Sequence, residues 1–386
     1  MIPYGRQDIT QADIDAVVGV LKSDFLTQGP MVPRFEQAVA QHVGASYALA
    51  VNSATSALHI ACLALGLGAG DCLWTTPVTF VASANCGLYC GAEVDFVDID
   101  PHTYNLCPEA FRRKLEQASL EGRLPKVLVV VHLCGQPSDM RSIHMLAKQY
   151  GVKIIEDASH AIGGKYRGEL IGNGRYSDIT VFSFHPVKII TTAEGGMVLT
   201  NDAELARKME LLRSHGITRE PERMTHAPEG PWYYQQIELG FNYRMTELQA
   251  ALGLTQMQRL DEYVEARHLL AQRYNQFLAH LPITLPYQHE DSYSGFHLYV
   301  IRLQLEKISP THRQVFESLR EQGVGVNLHY IPVHTQPYYK KMGFIEDDFP
   351  NAMAYYHEAI SLPIFQMMSH EQQNEVVLAV ERAIQS

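Results

Sequence analysis

The side chain best suited to covalent chemistry in this sequence is Lys188, within VFSFHPVKIITTAEGGMVLTND (181–202). Apolar residues flank it, and an amine enclosed by apolar groups stays neutral at lower pH, which is the form that attacks a carbonyl. Gly195 and Gly196 follow, and glycine allows the backbone to approach a bound group closely. The stretch therefore predicts an amine that binds a carbonyl compound, although most lysines are simply solvated.

A phosphate-binding position is predicted in VNSATSALHIACLALG (51–66), where a strand gives way to a helix. Free N–H groups and the helix dipole attract an anion at such a start. Small residues here let the anion come close, and Ser53 and Thr55 can add hydroxyls. Ser183, on the strand before Lys188, can also reach a phosphate. Taken alone, the pattern also fits an ordinary helix N-cap.

Two other strand ends carry residues suited to a planar ring. Phe80, in TTPVTFVASANC (75–86), can stack on such a ring, and Glu156 and Asp157 end the apolar run of IIEDASHA (154–161). A carboxylate beside a pyridine nitrogen keeps it protonated and makes the ring a better electron acceptor. Each feature has a plainer explanation, since Phe80 suits a core position and the carboxylates suit a helix cap or an ion pair.

These four clusters share one location, because each follows a predicted strand. In an open α/β sheet, ligands bind at the carboxyl edge of the strands. A phosphate cradle, a stacking ring, an anionic partner and an amine are together the parts needed to hold pyridoxal phosphate. The combination predicts that cofactor, whereas no single cluster does.

The elements that must position these residues are strands alternating with helix-length segments, which predicts an α/β domain with a mostly parallel sheet. The apolar strand candidates are residues 47–52, 72–77, 93–100, 127–135, 152–157, 178–185 and 196–201. Before them, residues 11–22 carry Ile14, Val17, Val18 and Leu21 at helical spacing, which predicts an amphipathic helix.

The pattern changes after about residue 245. One long helix, straight or kinked, is predicted at 246–278, and a last one is predicted near 370–384. Between them, the sequence predicts strands at 296–303 and 324–332, with a helix at 311–323. We therefore expect a large domain at 1–245, whose first 30 residues contribute to the active site, and a smaller α+β domain at 246–386.

The composition restricts the range of partners. The chain has 386 residues and a formal net charge of −11, with no basic run, which argues against nucleic acid and anionic membranes. Six cysteines without a CxxC pair predict free thiols rather than disulfides or metal ligands. The N-terminus lacks the features of a signal peptide, and no apolar run reaches the length of a membrane helix. A cytoplasmic protein without a metal is expected.

Six motifs resemble, in order, those of the DegT/DnrJ/StrS family of sugar aminotransferases. They are NSATSAL, TPVTFVASAN, EDASHAIGG, SFHPVKIITTAEGG, RSHG and GFNYRMTELQAA. The resemblance covers nearly the whole chain and implies a fold-type I, pyridoxal-phosphate-dependent transferase. It also implies a homodimer whose active sites are shared between the subunits.

By motif, the resemblance assigns cofactor binding to Ala54, Thr55, Phe80, Asp157, His160, Ser183, Lys188 and Asn242. Lys188 would be the catalytic residue, carrying the aldehyde and then moving a proton. Asp157 would pair with the pyridine nitrogen, and His160 would hydrogen-bond the ring hydroxyl. Asn242 would reach the phosphate of the neighbouring subunit.

Within the family, LTQGP (26–30) and the SHA after Asp157 resemble the members that act in pseudaminic acid biosynthesis. This implies amination at C4 of a UDP-linked 4-keto-6-deoxy-N-acetylhexosamine, with L-glutamate as donor. Tyr4, Thr27 and His329 match positions near the sugar nucleotide.

Several alternatives remain at this point. A transaminase for another keto sugar, linked to dTDP or GDP and reacting at C3 or C4, carries the same cofactor motifs. Related dehydratases replace the cofactor lysine by histidine, whereas Lys188 is present here. GLGAGD (66–71) follows a helix and lacks the spacing of a nicotinamide-binding loop. A cofactor-binding regulator would need a basic DNA-binding segment, and the sequence shows no such pattern. A metalloenzyme is disfavoured because His329 and His334 have no carboxylate at a matching spacing.

Overall fold

The computed structural model describes residues 1–385. Its α-helices are α1 (Gln11–Leu21), α2 (Met31–Val43), α3 (Ala54–Ala64), α4 (Ala82–Tyr89), α5 (Pro108–Glu121), α6 (Met140–Tyr150), α7 (Ala203–Arg213), α8 (Glu247–Met257), α9 (Leu260–Leu278), α10 (His312–Glu321), α11 (Pro337–Lys340), α12 (Pro350–Glu358) and α13 (His370–Gln385). Its β-strands are β1 (Tyr47–Val51), β2 (Cys72–Thr75), β3 (Glu93–Phe96), β4 (Val127–Val131), β5 (Lys153–Asp157), β6 (Lys165–Tyr166), β7 (Glu169–Leu170), β8 (Ile179–Ser183), β9 (Gly196–Thr200), β10 (Ile217–Thr218), β11 (Gln235–Gln236), β12 (Ile283–Thr284), β13 (Ser292–Tyr293), β14 (Tyr299–Leu303) and β15 (Ala359–Leu362).

A seven-stranded sheet in the order β1-β9-β8-β5-β4-β2-β3 forms the centre of the molecule. Strand β9 is antiparallel to both of its neighbours, and the remaining strand pairs are parallel. These are the seven strands predicted from the sequence. The prediction of an α/β fold with a mostly parallel sheet is therefore confirmed.

The sheet is buried on both faces, as its apolar strands require. Along β4, Val127 and Val129 belong to one hydrophobic cluster, and Leu128 and Val130 belong to the other. Helices α3 and α4 contribute to the first cluster, whereas α2, α5 and α6 contribute to the second. Because successive strand residues point to opposite faces, an uninterrupted apolar run supplies both layers of the core.

A smaller antiparallel sheet, β12-β14-β15, lies toward the C-terminus. It shares a third hydrophobic cluster with α9, α10 and α13. The predicted α+β arrangement is present in this part of the chain. The division into 1–245 and 246–386, of which Ser386 lies outside the described residues, stays a prediction.

One predicted helix is divided in the structure, and one predicted strand is wrong. The expected helix at 246–278 is two helices, α8 and α9, separated at Arg259, whose guanidinium binds Asp13 and the Tyr263 hydroxyl. The segment 324–332 does not form the expected strand. It has only isolated bridges to Ile2 and Ser361, because short, separate segments of the chain pair with it.

Helix α1 is present as predicted, but its apolar face is exposed. Ile14, Val18 and Leu21 reach solvent, while the buried positions include Asp13. The Asp13 carboxylate accepts hydrogen bonds from Thr255 Oγ1 and Arg259 Nη2. Polar contacts with Thr255 of α8 and with Arg259, between α8 and α9, anchor this helix, whereas its apolar stripe is not buried.

All six cysteines are free thiols, as predicted. The stretch 66–71 connects α3 to β2, as expected for a chain turn. None of the helices within residues 1–385 combines the length and apolar character that crossing a membrane requires.

Candidate active site

A cavity of about 530 Å³ opens at the carboxyl ends of β4, β5 and β8. The predicted site residues that line it are Tyr4, Ala54, Thr55, Phe80, Asp157, His160, Ser183, Lys188 and His329. Thr27 and Asn242 lie outside this lining and have exposed side chains. The fold thus brings most of the predicted residues together and leaves two apart.

A larger cavity, of about 940 Å³, lies at the opposite edge of the sheet, beside the first residues of β2 and β3. Its charged side chains pair with one another, as in the Lys114–Asp95 contact of 2.6 Å and the Lys126–Asp71 contact of 2.9 Å. Ligands of such folds bind at the carboxyl edge. The smaller cavity is therefore the candidate active site.

Lys188 lies on the loop between β8 and β9 and faces the cavity. Burial lowers the pKa of its amine to about 8, although the negative charge of Asp157 acts in the opposite direction. At neutral to mildly alkaline pH, a useful fraction of the amine is neutral and nucleophilic.

Hydrogen bonds connect the two ends of the loop that carries Lys188. Phe184 N–H donates to the Gly195 carbonyl at 2.9 Å, and the Phe184 carbonyl accepts from Thr192 N–H at 2.9 Å. The hydroxyl of Thr191 also donates to that carbonyl, at 3.0 Å. The threonines after the lysine thus fix the loop backbone.

Asp157 ends β5 and points into the cavity. Its Oδ2 accepts a hydrogen bond from Ser83 Oγ at 2.6 Å, and its Oδ1 accepts from Ser159 N–H at 3.2 Å. Glu156 points away and contacts His132 Nε2 at 2.8 Å. Strand alternation explains why only one of the two adjacent carboxylates reaches the cavity.

His160 is buried beside these groups. Its Nδ1 accepts from Cys134 N–H at 3.3 Å, so a neutral ring carries its proton on Nε2, which lies 3.1 Å from the Tyr330 hydroxyl. Burial, then the charges of Lys188 and His329, place the pKa of His160 well below its usual value. The ring is therefore a neutral donor at Nε2.

The start of α3 forms one wall of the cavity. Ser53 caps this helix by accepting from Ser56 N–H at 3.1 Å, and the first N–H groups of a helix have no partner within it. Gly196 lies against this turn, since a β-carbon there would stand 2.6 Å from the nitrogen of Ala54. With Ser183 opposite Gly196 in the sheet register, these groups form a cradle of small residues suited to a phosphate.

Aromatic and imidazole rings form the rim. Phe80 is 56% exposed and its ring centroid lies 6.1 Å from that of Tyr330. His329 Nδ1 lies 2.8 Å from Ser361 Oγ, and the rings of Tyr4 and His329 are 5.2 Å apart. Burial, and secondarily the charge of Lys188, lowers the pKa of His329 to about 3.

A family model for the DegT/DnrJ/EryC1/StrS aminotransferases matches residues 7–381. The chain belongs to this aminotransferase family. The resemblance found in its motifs and the transaminase activity that they imply are thereby confirmed.

Similar proteins and solved structures agree with the assignment of this chain to the aminotransferase family. The spore coat polysaccharide biosynthesis protein SpsC of Bacillus subtilis is 39% identical over 98% of this chain and 96% of its own. The UDP-4-amino-4,6-dideoxy-N-acetyl-beta-L-altrosamine transaminase of Campylobacter jejuni is also 39% identical, over 96% and 94%. Helicobacter pylori PseC, an aminotransferase involved in the biosynthesis of pseudoaminic acid, superposes with a TM-score of 0.89 at 30% identity, over 99% of both chains. The chain is thus similar to aminotransferases that act on sugars.

One structural relative is described as the PLP-form of a sugar aminotransferase, Spr1654 of Streptococcus pneumoniae. It has a TM-score of 0.88 and 26% identity, and covers 99% of both chains. The cavity of the present aminotransferase offers groups that match this cofactor, namely the amine of Lys188, the carboxylate of Asp157 and the phosphate cradle at α3. Within residues 1–385, no group of three or more His, Cys, Asp or Glu side chains is arranged to hold a metal ion.

Sequence reasoning missed three residues of the aminotransferase site. Ser83 contacts Asp157, His297 packs its ring 4.4 Å from that of His160, and Tyr330 contacts His160. Thr79 precedes α4 and Ser83 lies in its first turn, and this pair of hydroxyl residues four positions apart could have indicated the first. No comparable signal marks the other two, since both lay in segments predicted as strands.

Proposed function

We propose that this aminotransferase binds pyridoxal phosphate and transfers an amino group from L-glutamate to C4 of a UDP-linked 4-keto-6-deoxy-N-acetylhexosamine. This would be the amination step of the pseudaminic acid pathway. The observation that carries the proposal is that Lys188 and Asp157 share one cavity with a phosphate cradle. The substrate class is supported by relatives that match over nearly the whole chain.

In this proposal, the cradle of Ala54, Thr55 and Ser183 holds the phosphate, and Phe80 stacks on the ring. Asp157 accepts a hydrogen bond from the protonated ring nitrogen, and His160 donates a hydrogen bond from Nε2 to the ring hydroxyl. When bound, pyridoxal phosphate supplies an aldehyde for the amine and a ring that takes up the electron pair left by a departing proton.

Lys188 moves the proton. With its pKa lowered to about 8 by burial, its neutral amine can accept a proton from the substrate carbon and return it to the neighbouring position. The buried imidazoles of His160 and His329 have lowered pKa values and stay neutral at pH 7, so they do not add positive charge beside the amine.

The sugar nucleotide is assigned to the part of the rim formed by Tyr4 and His329. Thr27, between α1 and α2, is assigned to the same substrate. A second candidate function is amination of another nucleotide-linked keto sugar, on dTDP or GDP. It is favoured by the equal identity to SpsC, whose name concerns a spore coat polysaccharide. A dehydratase is disfavoured because Lys188 occupies the position that is histidine in those relatives.

We also propose that the enzyme is a homodimer in which Asn242 serves the site of the other subunit. Asn242 is exposed and does not line the cavity of its own chain. Nearby in sequence, Trp232 is 74% exposed and Leu239 is 77% exposed. A second subunit placed against these side chains would remove their apolar surface from water.

The test is a set of reactions followed by mass spectrometry. The purified enzyme receives L-glutamate with the UDP-linked L-arabino 4-keto sugar, its D-xylo epimer, or the dTDP- or GDP-linked 4-keto-6-deoxyhexoses. Amination of the L-arabino sugar alone supports the proposal. Amination of one of the other keto sugars would place the enzyme in a different amino-sugar pathway. Turnover by Lys188→Ala would contradict the role of the lysine.

A further inference from the structure

Helix α4 supplies a hydroxyl to the carboxylate in the cavity. Ser83, in the first turn of this helix, is buried, and its Oγ lies 2.6 Å from Asp157 Oδ2. Thr79 is also buried, and its Oγ1 lies 2.8 Å from Ser83 Oγ. Three side chains therefore form a short hydrogen-bonded chain that ends at the cavity.

The chemistry of these groups sets the direction of the chain. A carboxylate only accepts hydrogen bonds, so the single proton of Ser83 Oγ is given to Asp157. Ser83 is then left as an acceptor, and Thr79 must donate to it. The second oxygen of Asp157 is held separately by Ser159 N–H at 3.2 Å.

Both oxygens of Asp157 are thereby fixed, and the rotation of its carboxylate is restricted. Hydrogen bonds to a charged group are stronger than those between neutral groups, and shared chains of such bonds reinforce one another. The helix that carries Ser83 is itself packed in the core beside the sheet, with Cys86 Sγ donating to the Ser83 carbonyl at 3.3 Å. The donor is thus held rigidly.

We propose that Ser83, oriented by Thr79, is a positioning residue that holds the carboxylate of Asp157 in the orientation needed to pair with the ring nitrogen of the cofactor. This rests on the proposed function, in which Asp157 has that partner. If the Ser83 hydroxyl only fulfilled its own need for a hydrogen-bond partner, it would support folding. It would not affect how strongly the cofactor ring withdraws electrons.

The first measurement is a spectrophotometric pH titration of the holoenzyme, comparing wild type with Ser83→Ala. A ring nitrogen that keeps its proton less firmly withdraws less charge along the conjugated system. We therefore expect the visible absorption band of the bound cofactor to change at a higher pH in Ser83→Ala than in wild type. We also expect kcat to fall roughly 10- to 100-fold, as for loss of a hydrogen bond to a charged group, with KM values for both substrates nearly unchanged.

Ser138→Ala is the matched control, since Ser138 is also buried and donates its hydroxyl to a backbone carbonyl, that of Val131, at 2.9 Å. Its titration and kcat should resemble those of wild type. Ser83→Cys keeps a weak donor and nearly the same shape, so it provides a smaller shift in the same direction if Ser83→Ala does not fold.

A double-mutant cycle with Asp157→Asn separates the two proposals. If Ser83 acts through Asp157, Ser83→Ala should have little further effect in the Asp157→Asn background. An equal effect in both backgrounds, or a Ser83→Ala enzyme that behaves like Ser138→Ala, overturns the role of Ser83 and leaves that of Asp157 intact. An Asp157→Asn enzyme with the wild-type band and rate overturns the cofactor arrangement, and the role of Ser83 with it.

Discussion

Single residues in this site owe their chemistry to burial. Lys188, His160 and His329 all have pKa values lowered first by removal from water. For the lysine, the result is an amine that is less often protonated than a lysine in solution. For the histidines, it is rings that stay neutral and donate or accept hydrogen bonds at fixed nitrogens.

This burial of Lys188 should reduce the stability of the cofactor-free protein. Below pH 8 the amine is protonated in both the folded and the unfolded chain, and the folded state bears the full cost of a buried charge. As the pH rises from about 8 toward 10.5, the folded protein releases its proton first and the cost disappears. Lys188→Met should therefore stabilise the cofactor-free protein below pH 8, by about 3 kcal/mol at most.

The measurement is chemical denaturation of the cofactor-free proteins between pH 7 and 10.5. The difference between Lys188→Met and wild type should shrink as the pH rises. Lys22→Met, at an exposed position, should show no such trend. A difference that is constant with pH would mean that the amine is not desolvated in the folded state.

Among the secondary-structure elements, the meeting of β9 with the start of α3 shapes the phosphate cradle. Gly196 is the first residue of β9, and it leaves space for the backbone of Ser53 and Ala54. Any side chain there would push the helix away from the strand. The cradle thus depends on a contact between two elements that are far apart in sequence.

Gly196→Ala should weaken binding of pyridoxal phosphate at least tenfold, because the added methyl would lie 2.6 Å from the Ala54 nitrogen and displace the turn. Fluorescence titration of the cofactor-free protein with pyridoxal phosphate measures this. Gly19→Ala is the control, since a methyl there meets nothing within 4 Å and alanine favours a helix. Unchanged affinity in Gly196→Ala would show that the cradle tolerates a wider gap.

The sequence predicted those elements whose stability is local or repetitive. The strands of the central sheet were found because burial on both faces produces continuous apolar runs such as that of β4. The position of the break between α8 and α9 could not be found, because Arg259 at the break binds Asp13, which is more than two hundred residues away. Segment 324–332 looks like a strand, but its pairing is determined by distant parts of the chain.

The site itself followed the same rule. Lys188 and Asp157 stand in distinctive positions at strand ends and were found by their types and spacing. Ser83, His297 and Tyr330 join the site through contacts that only the folded chain creates. For His297 and Tyr330, no sequence pattern separates a site residue from a core residue.

At the scale of the whole molecule, one chain gathers the groups for the amine, the ring and the phosphate but leaves Asn242 outside. Helix α1 and the segment around Trp232 also present apolar side chains to solvent. Both observations support the proposed homodimer with shared sites.

Subunit mixing tests this arrangement. Lys188→Ala and Asn242→Ala should each be nearly inactive alone. After unfolding and refolding together, half of the dimers contain one of each chain, and each of these has one complete site. We therefore expect about one quarter of the wild-type activity.

The matched control is a mixture of Lys188→Ala with Asp157→Ala. Both residues lie in the cavity of one chain, so no combination restores a complete site and activity should stay absent. Failure of the first mixture to recover activity would mean that Asn242 serves its own subunit or none.

The loop tied between β8 and β9 has one more consequence. The backbone of this loop is fixed at Phe184 and Gly195. Only the methylene chain of Lys188 therefore has to move when its amine is released from the carbonyl carbon that it binds and later returns to it. The amine therefore stays at a very high effective concentration beside the cavity in every turnover. Ammonia or free amines in the surrounding solution would have to reach comparable concentrations before they could take its place.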